Sequence, residues 1–213
     1  MTSSHGRRAW LAGALLALCT AASAQAPAPV TLLQNVRIFD GKGGSLSAPS
    51  QVLVRGDLIE RMSTVPIAPP PGANVIDGQG RTLMPGLIDN HWHTMFAAPS
   101  MAELLHGDLT LLAAAEARAT LLRGFTTVRD PGGPSFALKR AIDEGRIPGP
   151  RIYPSGAMIT FTGGHGDFRM PYELPRQLGA LPPIAGALNA SQLADSSDEV
   201  RLRTREQLLL GAS

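Results

Sequence analysis

Thiol chemistry is nearly absent from this sequence: 213 residues contain one cysteine, Cys19, and it sits in a short apolar run near the N-terminus. Loss of that run on export, argued below, would leave no thiol for nucleophilic catalysis, metal binding or a disulfide. An excess of charge is missing too. There are 19 basic and 17 acidic residues; without Arg7 and Arg8, which precede the apolar run, 17 of each remain. A basic surface for nucleic acid is therefore not expected. The apolar run from Trp10 to Cys19 is shorter than the about 20 residues that span a bilayer, and no transmembrane segment is expected in the mature chain. Gly163-Gly164 is not followed by Lys-Ser/Thr and a helix start, which excludes a phosphate cradle.

What is present begins with an export signal. Arg7-Arg8, the apolar run and the small residues Ala22-Ser23-Ala24 form a charged start, an apolar centre and a cleavage site. Cleavage is expected after Ala24, giving a periplasmic or extracellular product that begins at Gln25. The twin arginines followed by Ala9-Trp10-Leu11 also resemble a twin-arginine signal, so the sequence leaves the export route open. Leu18 is too large for the position before a lipidated cysteine. The domain reading is a signal at 1–24, a Pro/Ala linker at 25–30, a β-rich segment at 31–82 and an alternating strand–helix segment at 83–213.

In the β-rich segment, LLQNVRIFDG, SQVLV, LIERM and NVID read as short strands separated by Gly- and Pro-rich breaks. Arg55-Gly56-Asp57 reads as a hairpin turn, which explains the tripeptide without invoking adhesion. Beyond Arg81, TLMPGLIDNH reads as a strand, and Ser100-x-x-Glu103 as a capping box opening a helical region that His106-Gly107 interrupts. Leu111, Ala115, Ala119 and Leu122 share a helical face that Gly124 ends. FTTVRD follows as a strand, SFALKRAIDEG as a helix closed by Gly145, and RIYPSGAMIT as a strand. A loop is expected over Phe161 to Ala194, then a helix capped by Ser196-x-x-Glu199 and ended by Gly211. Alternation of this kind predicts parallel α/β structure.

Metal chemistry, with no thiol available, must rest on histidine and carboxylates. Four histidines follow the signal: His91, His93, His106 and His165. His91 and His93 stand two apart at a strand end, so they share a face, with Asp89 on the same side and Trp92 opposite. Two imidazoles so placed can hold a metal from one side. His165 lies in a Gly-rich loop after the third strand, and His106 reads as a surface residue. Asp130 ends the second strand, where an ion pair with a neighbouring arginine is expected.

The stretch from Val75 to His93, with Val75-Ile76-Asp77, Gly80, Pro85-Gly86, Leu87-Ile88-Asp89, His91 and His93 in order, resembles the signature of the amidohydrolase superfamily. Gly124 to Asp130, Gly149-Pro150-Arg151 and Thr162 to Asp167 resemble its branch of imidazolonepropionase-like proteins and Xaa-Pro dipeptidases. The resemblance covers residues 31–213. It implies the first three βα units of a (β/α)8 TIM barrel, preceded by part of a small β-sandwich. It also implies a site for one or two divalent metal ions, zinc or a similar ion, with His91 and His93 as ligands. Asp89 would support them from behind, and His165 would contact a small amide, cyclic amide or dipeptide substrate. Nothing in the sequence sets the oligomeric state. Members of this superfamily carry a bridging lysine carbamate or carboxylate, two more histidines and a catalytic aspartate on later strands. No lysine follows Lys139 and no histidine follows His165. The expectation is thus the N-terminal part of a metal-dependent hydrolase, inactive alone. The alternative is a non-catalytic exported module derived from half a barrel.

Overall fold

A computed structural model describes residues 28–96, 106–170, 172–173 and 184–213. The export signal and the Ser100–Glu103 capping box lie outside the described residues. Contacts divide the chain between Met84 and Pro85 into two compact units.

The first unit is one mixed sheet. Its strands are β1 (Val30–Ile38), β2 (Ser50–Arg55), β3 (Leu58–Ser63), β4 (Asn74–Asp77) and β5 (Thr82–Leu83). The order is β3-β2-β1-β4, with β5 also on β1. The β2–β3 turn is Gly56-Asp57, with φ +61° at Gly56, and its backbone twist suits a two-residue hairpin. Asn35, at φ +52°, marks a bulge where the β1–β2 register shifts between Leu33 and Val36. Past the bulge, β1 changes its parallel partner from β4 to β5. The turn joining those two partners explains Asp77-x-x-Gly80 in the signature. Asp77 Oδ1 accepts from Gln79 N at 2.8 Å and from Asn35 Nδ2 at 3.2 Å. A Cβ at Gly78 would stand 2.4 Å from Val36 Cγ1, so no larger residue fits. Leu32, Leu53 and Ile67 form this unit's core, while Leu58, Ile59 and Met62 of β3 are 60–69% exposed. Of the sandwich implied by the resemblance, one sheet is present among the described residues.

The second unit alternates strands and helices. In order it contains β6 (Leu87–Asp89), a 3-10 turn (Thr94–Phe96), α1 (His106–Leu122), β7 (Phe125–Asp130), α2 (Phe136–Asp143), β8 (Arg151–Pro154), β9 (Met158–Thr160), α3 (Ile184–Ala187), β10 (Ser191–Leu193) and α4 (Ser197–Leu210). β6, β7 and β8 form a parallel sheet in chain order, and β9 and β10 form a separate parallel pair. Val128 and Ile152 from the sheet pack with Met95, Leu109, Ala113, Ala117 and Leu138, so the helices cover one face. Ile88 and Tyr153 lie exposed. The fold is mixed α/β, and no barrel closes among the described residues.

Several expectations change. TLMPGLIDNH is two strands, β5 and β6, broken at Met84–Gly86. RIYPSGAMIT is also two strands: the chain breaks at Ser155–Ala157, with φ +78° at Gly156. The side chain of Gln207 from α4, itself 3% exposed, closes that break by accepting from Ala157 N at 2.9 Å and Asn189 Nδ2 at 3.2 Å. The segment Phe161 to Ala194, expected to be loop, contains α3 and β10, because Ser191–Leu193 finds a partner in β9 and pairing overrides weak propensity. His106 and Gly107 lie within α1 and do not interrupt it among the described residues. The core face of α1 is Leu109, Ala113, Ala117 and Thr120 rather than the face of Leu111 and Leu122, which are 73% and 71% exposed. The helix is apolar around most of its circumference, so spacing alone cannot select the buried stripe. The α4 cap holds: Ser196 Oγ accepts from Glu199 N at 3.3 Å, and Glu199 Oε2 accepts from Asp195 N at 2.8 Å. Gly124, Gly145 and Gly211 end their helices at positive φ.

Candidate metal centre

The site grows out of the β6–β7 pairing. Leu87 pairs with Phe125 and Asp89 with Val128. A Cβ at Gly86 would lie 2.1–2.6 Å from the Thr126 side chain, so the glycine of the Pro-Gly pair is where the strands enter their ladder at close approach. The strand proper ends at Asp89. His91 and His93 therefore follow the strand instead of lying on it, which corrects the sequence reading. Two hydrogen bonds keep this extension in place: Asp89 Oδ1 accepts from His91 N at 3.0 Å, and Trp92 N donates to Arg129 O at 3.0 Å. Asp89 thus braces the turn. Trp92 packs against the core while His91 is exposed and the His93 side chain is 30% exposed.

The two imidazoles come together, with ring centroids 5.0 Å apart and planes at 81°. His93 Nδ1 lies 3.1 Å from Gly132 O. A carbonyl oxygen only accepts, so Nδ1 carries the proton and the Nε2 lone pair is left available. Phe96 meets the His93 ring edge-on at 5.3 Å and Phe168 lies 6.0 Å beyond Phe96, giving the site an apolar wall. Paired imidazole donors suit zinc or a similar borderline ion. Among the described residues, no third His, Cys, Asp or Glu joins them. The residues present fit half of a tetrahedral shell.

Asp130 departs from expectation. Among the described residues it makes no arginine pair; it is fully buried and accepts from Gly132 N at 3.2 Å, from Thr94 N at 3.4 Å and from Thr94 Oγ1. Burial pushes its carboxyl above the ordinary value, and the Thr94 hydrogen bonds pull against that shift. Sequence reasoning passed over Thr94 and Gly132. The Pro131-Gly132-Gly133-Pro134 run directly after a strand was the available signal, since a glycine there marks a close backbone approach.

His165 is exposed on the loop after β9. Carboxylates tie that loop down: Thr162 N and Oγ1 both donate to Asp195 at 2.7 Å, and Asp167 accepts from Gly163 N at 2.7 Å and Arg169 Nε at 2.7 Å. The side chain of His106 lies outside the described residues. The Arg169 guanidinium holds the Asp167 carboxyl far below the usual carboxylate range. A depressed folded-state pKa stabilises above the unfolded value of about 4 and is lost only as pH falls through the folded value. Amide protection over Gly163 to Arg169 is therefore expected to hold from neutral pH down to about pH 4 and to fail only in stronger acid. In Arg169→Ala the failure should move up into the ordinary carboxylate range. Hydrogen exchange across a pH series checks both outcomes.

The paired histidines lie beyond the C-terminal end of β6 in a parallel, helix-covered sheet, the end at which α/β folds of this class gather their functional residues. The chain belongs to the amidohydrolase family, whose sequence profile matches residues 82–213. It is similar to ochratoxinase of Aspergillus niger, 36% identical over 140 residues, which is 61% of this chain and 29% of that protein. Among solved structures it is similar to a prolidase complexed with N-methylphosphonate-L-proline, at 34% identity and TM-score 0.75, covering 86% of this chain and 45% of that one. A Xaa-Pro dipeptidase with bound methionine in the active site matches at 26% identity and TM-score 0.70, again over 86% and 45%. The chain thus spans less than half the length of these relatives.

Proposed function

We propose that this protein is an exported, metal-dependent hydrolase of C–N bonds in amides, cyclic amides or Xaa-Pro peptides. The observation that carries the reading is the convergence of His91 and His93, with the His93 Nε2 lone pair left available, in a chain of the amidohydrolase family. A bound divalent ion would supply a lowered pKa for an attacking water and polarisation of the scissile carbonyl. His91 and His93 would hold that ion, Asp89 keeps the His91 backbone in place, and His165, on its tied loop, would meet the substrate. Phe96 and Phe168 would exclude bulk water from one side. The relatives' names, prolidase, Xaa-Pro dipeptidase and ochratoxinase, support small amide-linked substrates.

The test is hydrolysis by the complete gene product after chelator stripping and zinc reloading, on a panel of Xaa-Pro dipeptides and aryl amides. Activity that disappears on stripping and returns with zinc supports the reading; activity indifferent to chelation overturns it. Residues 25–213 on their own are expected to be inactive on the same panel, because two imidazoles leave coordination half open. Export rests on Arg7-Arg8, the apolar run and Ala22-Ser23-Ala24. N-terminal sequencing of the extracytoplasmic product should begin at Gln25, and a product retaining Met1 would overturn that part.

A further inference from the structure

The geometry points to Asp130 as a positioning residue that sets the tautomer and aim of His93 through Gly132 and Thr94. One carboxylate takes hydrogen bonds from both segments that meet at this histidine. Its Oδ2 accepts from Thr94 N at 3.4 Å and from Thr94 Oγ1, which fixes the backbone immediately after His93. Its Oδ1 accepts from Gly132 N at 3.2 Å, which fixes the residue whose carbonyl takes the His93 Nδ1 proton at 3.1 Å. The same Oδ1 stands 4.0 Å from Nδ1, so the carboxyl group adjoins the imidazole itself as well as the two backbone segments.

The surroundings leave little slack. A Cβ at Gly132 would fall 2.3 Å from Met158 Cγ and 3.4 Å from His93 Cε1, so the chain passes between β9 and the imidazole with no spare room. Gly133 N donates to Gly156 O and Ser155 N to Asp130 O, at 2.9 and 2.8 Å, tying the same loop to the break after β8. Asp130 is fully buried, so it cannot touch substrate; its influence passes through the carbonyl and the backbone it holds. Orienting partners of this kind fix which imidazole nitrogen faces a metal and how basic it is.

The inference rests on the reading of His93 as a ligand, and its primary test needs no metal. In the full chain labelled with 15N at histidine, magic-angle-spinning NMR at pH 8 reads the protonated nitrogen of each ring, and His93→Gln identifies the His93 signals. Wild type should show at least about nine in ten His93 rings protonated at Nδ1, against a mixed population in Asp130→Ala. Affinity for the zinc ion alone, from chelator competition, should fall by about 10–100-fold in Asp130→Ala. Thr94→Val should move both readouts the same way and Thr94→Ser should restore both. That pair decides the matter if Asp130→Ala does not fold. An unchanged tautomer in folded Asp130→Ala or Thr94→Val, or a wild-type His93 protonated mainly at Nε2, would overturn the inference. Wild type that binds no zinc counts against the ligand reading instead, while the metal-free tautomer comparison still decides the role of Asp130.

Discussion

Alanine at either His91 or His93 in the complete enzyme should reduce bound zinc to background and cut kcat/KM by more than the about 10–100-fold typical of a supporting residue. Each histidine is one of two donors in this part of the site, and their rings stand 5.0 Å apart. Removing one halves the donors that this segment offers, and a zinc site that normally uses three or four protein ligands loses one of them outright. The fold should tolerate the change. His91 is exposed, and the Trp92 N to Arg129 O hydrogen bond and the Trp92 side-chain packing involve neither imidazole. Metal analysis after dialysis, set beside circular dichroism, separates the two effects. Retained metal and turnover in both variants would remove His91 and His93 from the site.

The second large effect is expected at the break between β8 and β9. Gly156 sits at φ +78°, and a Cβ there would lie 2.3 Å from Gln207 Oε1 and 2.8 Å from Phe136 Cζ. Gly156→Val combines left-handed strain in a β-branched residue with displacement of the buried amide, and each contributes at least about 1–3 kcal/mol. Gln207→Leu isolates the second part: it strips Ala157 N of its acceptor and should cost about 1–3 kcal/mol. At this chain length that lowers Tm by several degrees, at about 2–4 °C per kcal/mol. Thermal melts check it, and a Gly156→Val protein as stable as wild type would show that the break relaxes without loss.

Local signals in the sequence were strong where they were single-valued. Gly56, Gly124, Gly145 and Gly211 each mark a turn or helix end, and each takes positive φ. Ser196 caps α4 as its spacing foretold. Strand β7 was legible because FTTVRD is β-branched and bounded by Gly124. The readings that failed needed distant partners. Nothing local says that Ser191–Leu193 pairs with β9, or that α1 buries alanines and leaves Leu111 and Leu122 outside. His91 and His93 were legible as a pair because their spacing brings alternate residues to one side. Asp130 misled because a carboxylate among arginines reads as an ion pair, whereas Arg129 Nη1 donates to Tyr153 O at 2.8 Å. Thr94 gave no local signal, and the Pro131–Pro134 run marked only a close backbone approach at Gly132, because the roles of both residues exist only once β6 and β7 lie side by side.

The chain-order sheet has a bearing on how the second unit assembles. β7 is added to β6 across a connection that contains α1, and β8 to β7 across one that contains α2. No strand must wait for a later one to be inserted between it and its neighbour. Loop closure is modest at each step, since its entropy grows only slowly with length. The N-terminal strands of a nascent chain can therefore pair as they emerge, in the order of synthesis. On this route the paired histidines are anchored as soon as Arg129 O receives Trp92 N, well before α4 arrives to seal the Gly156 break.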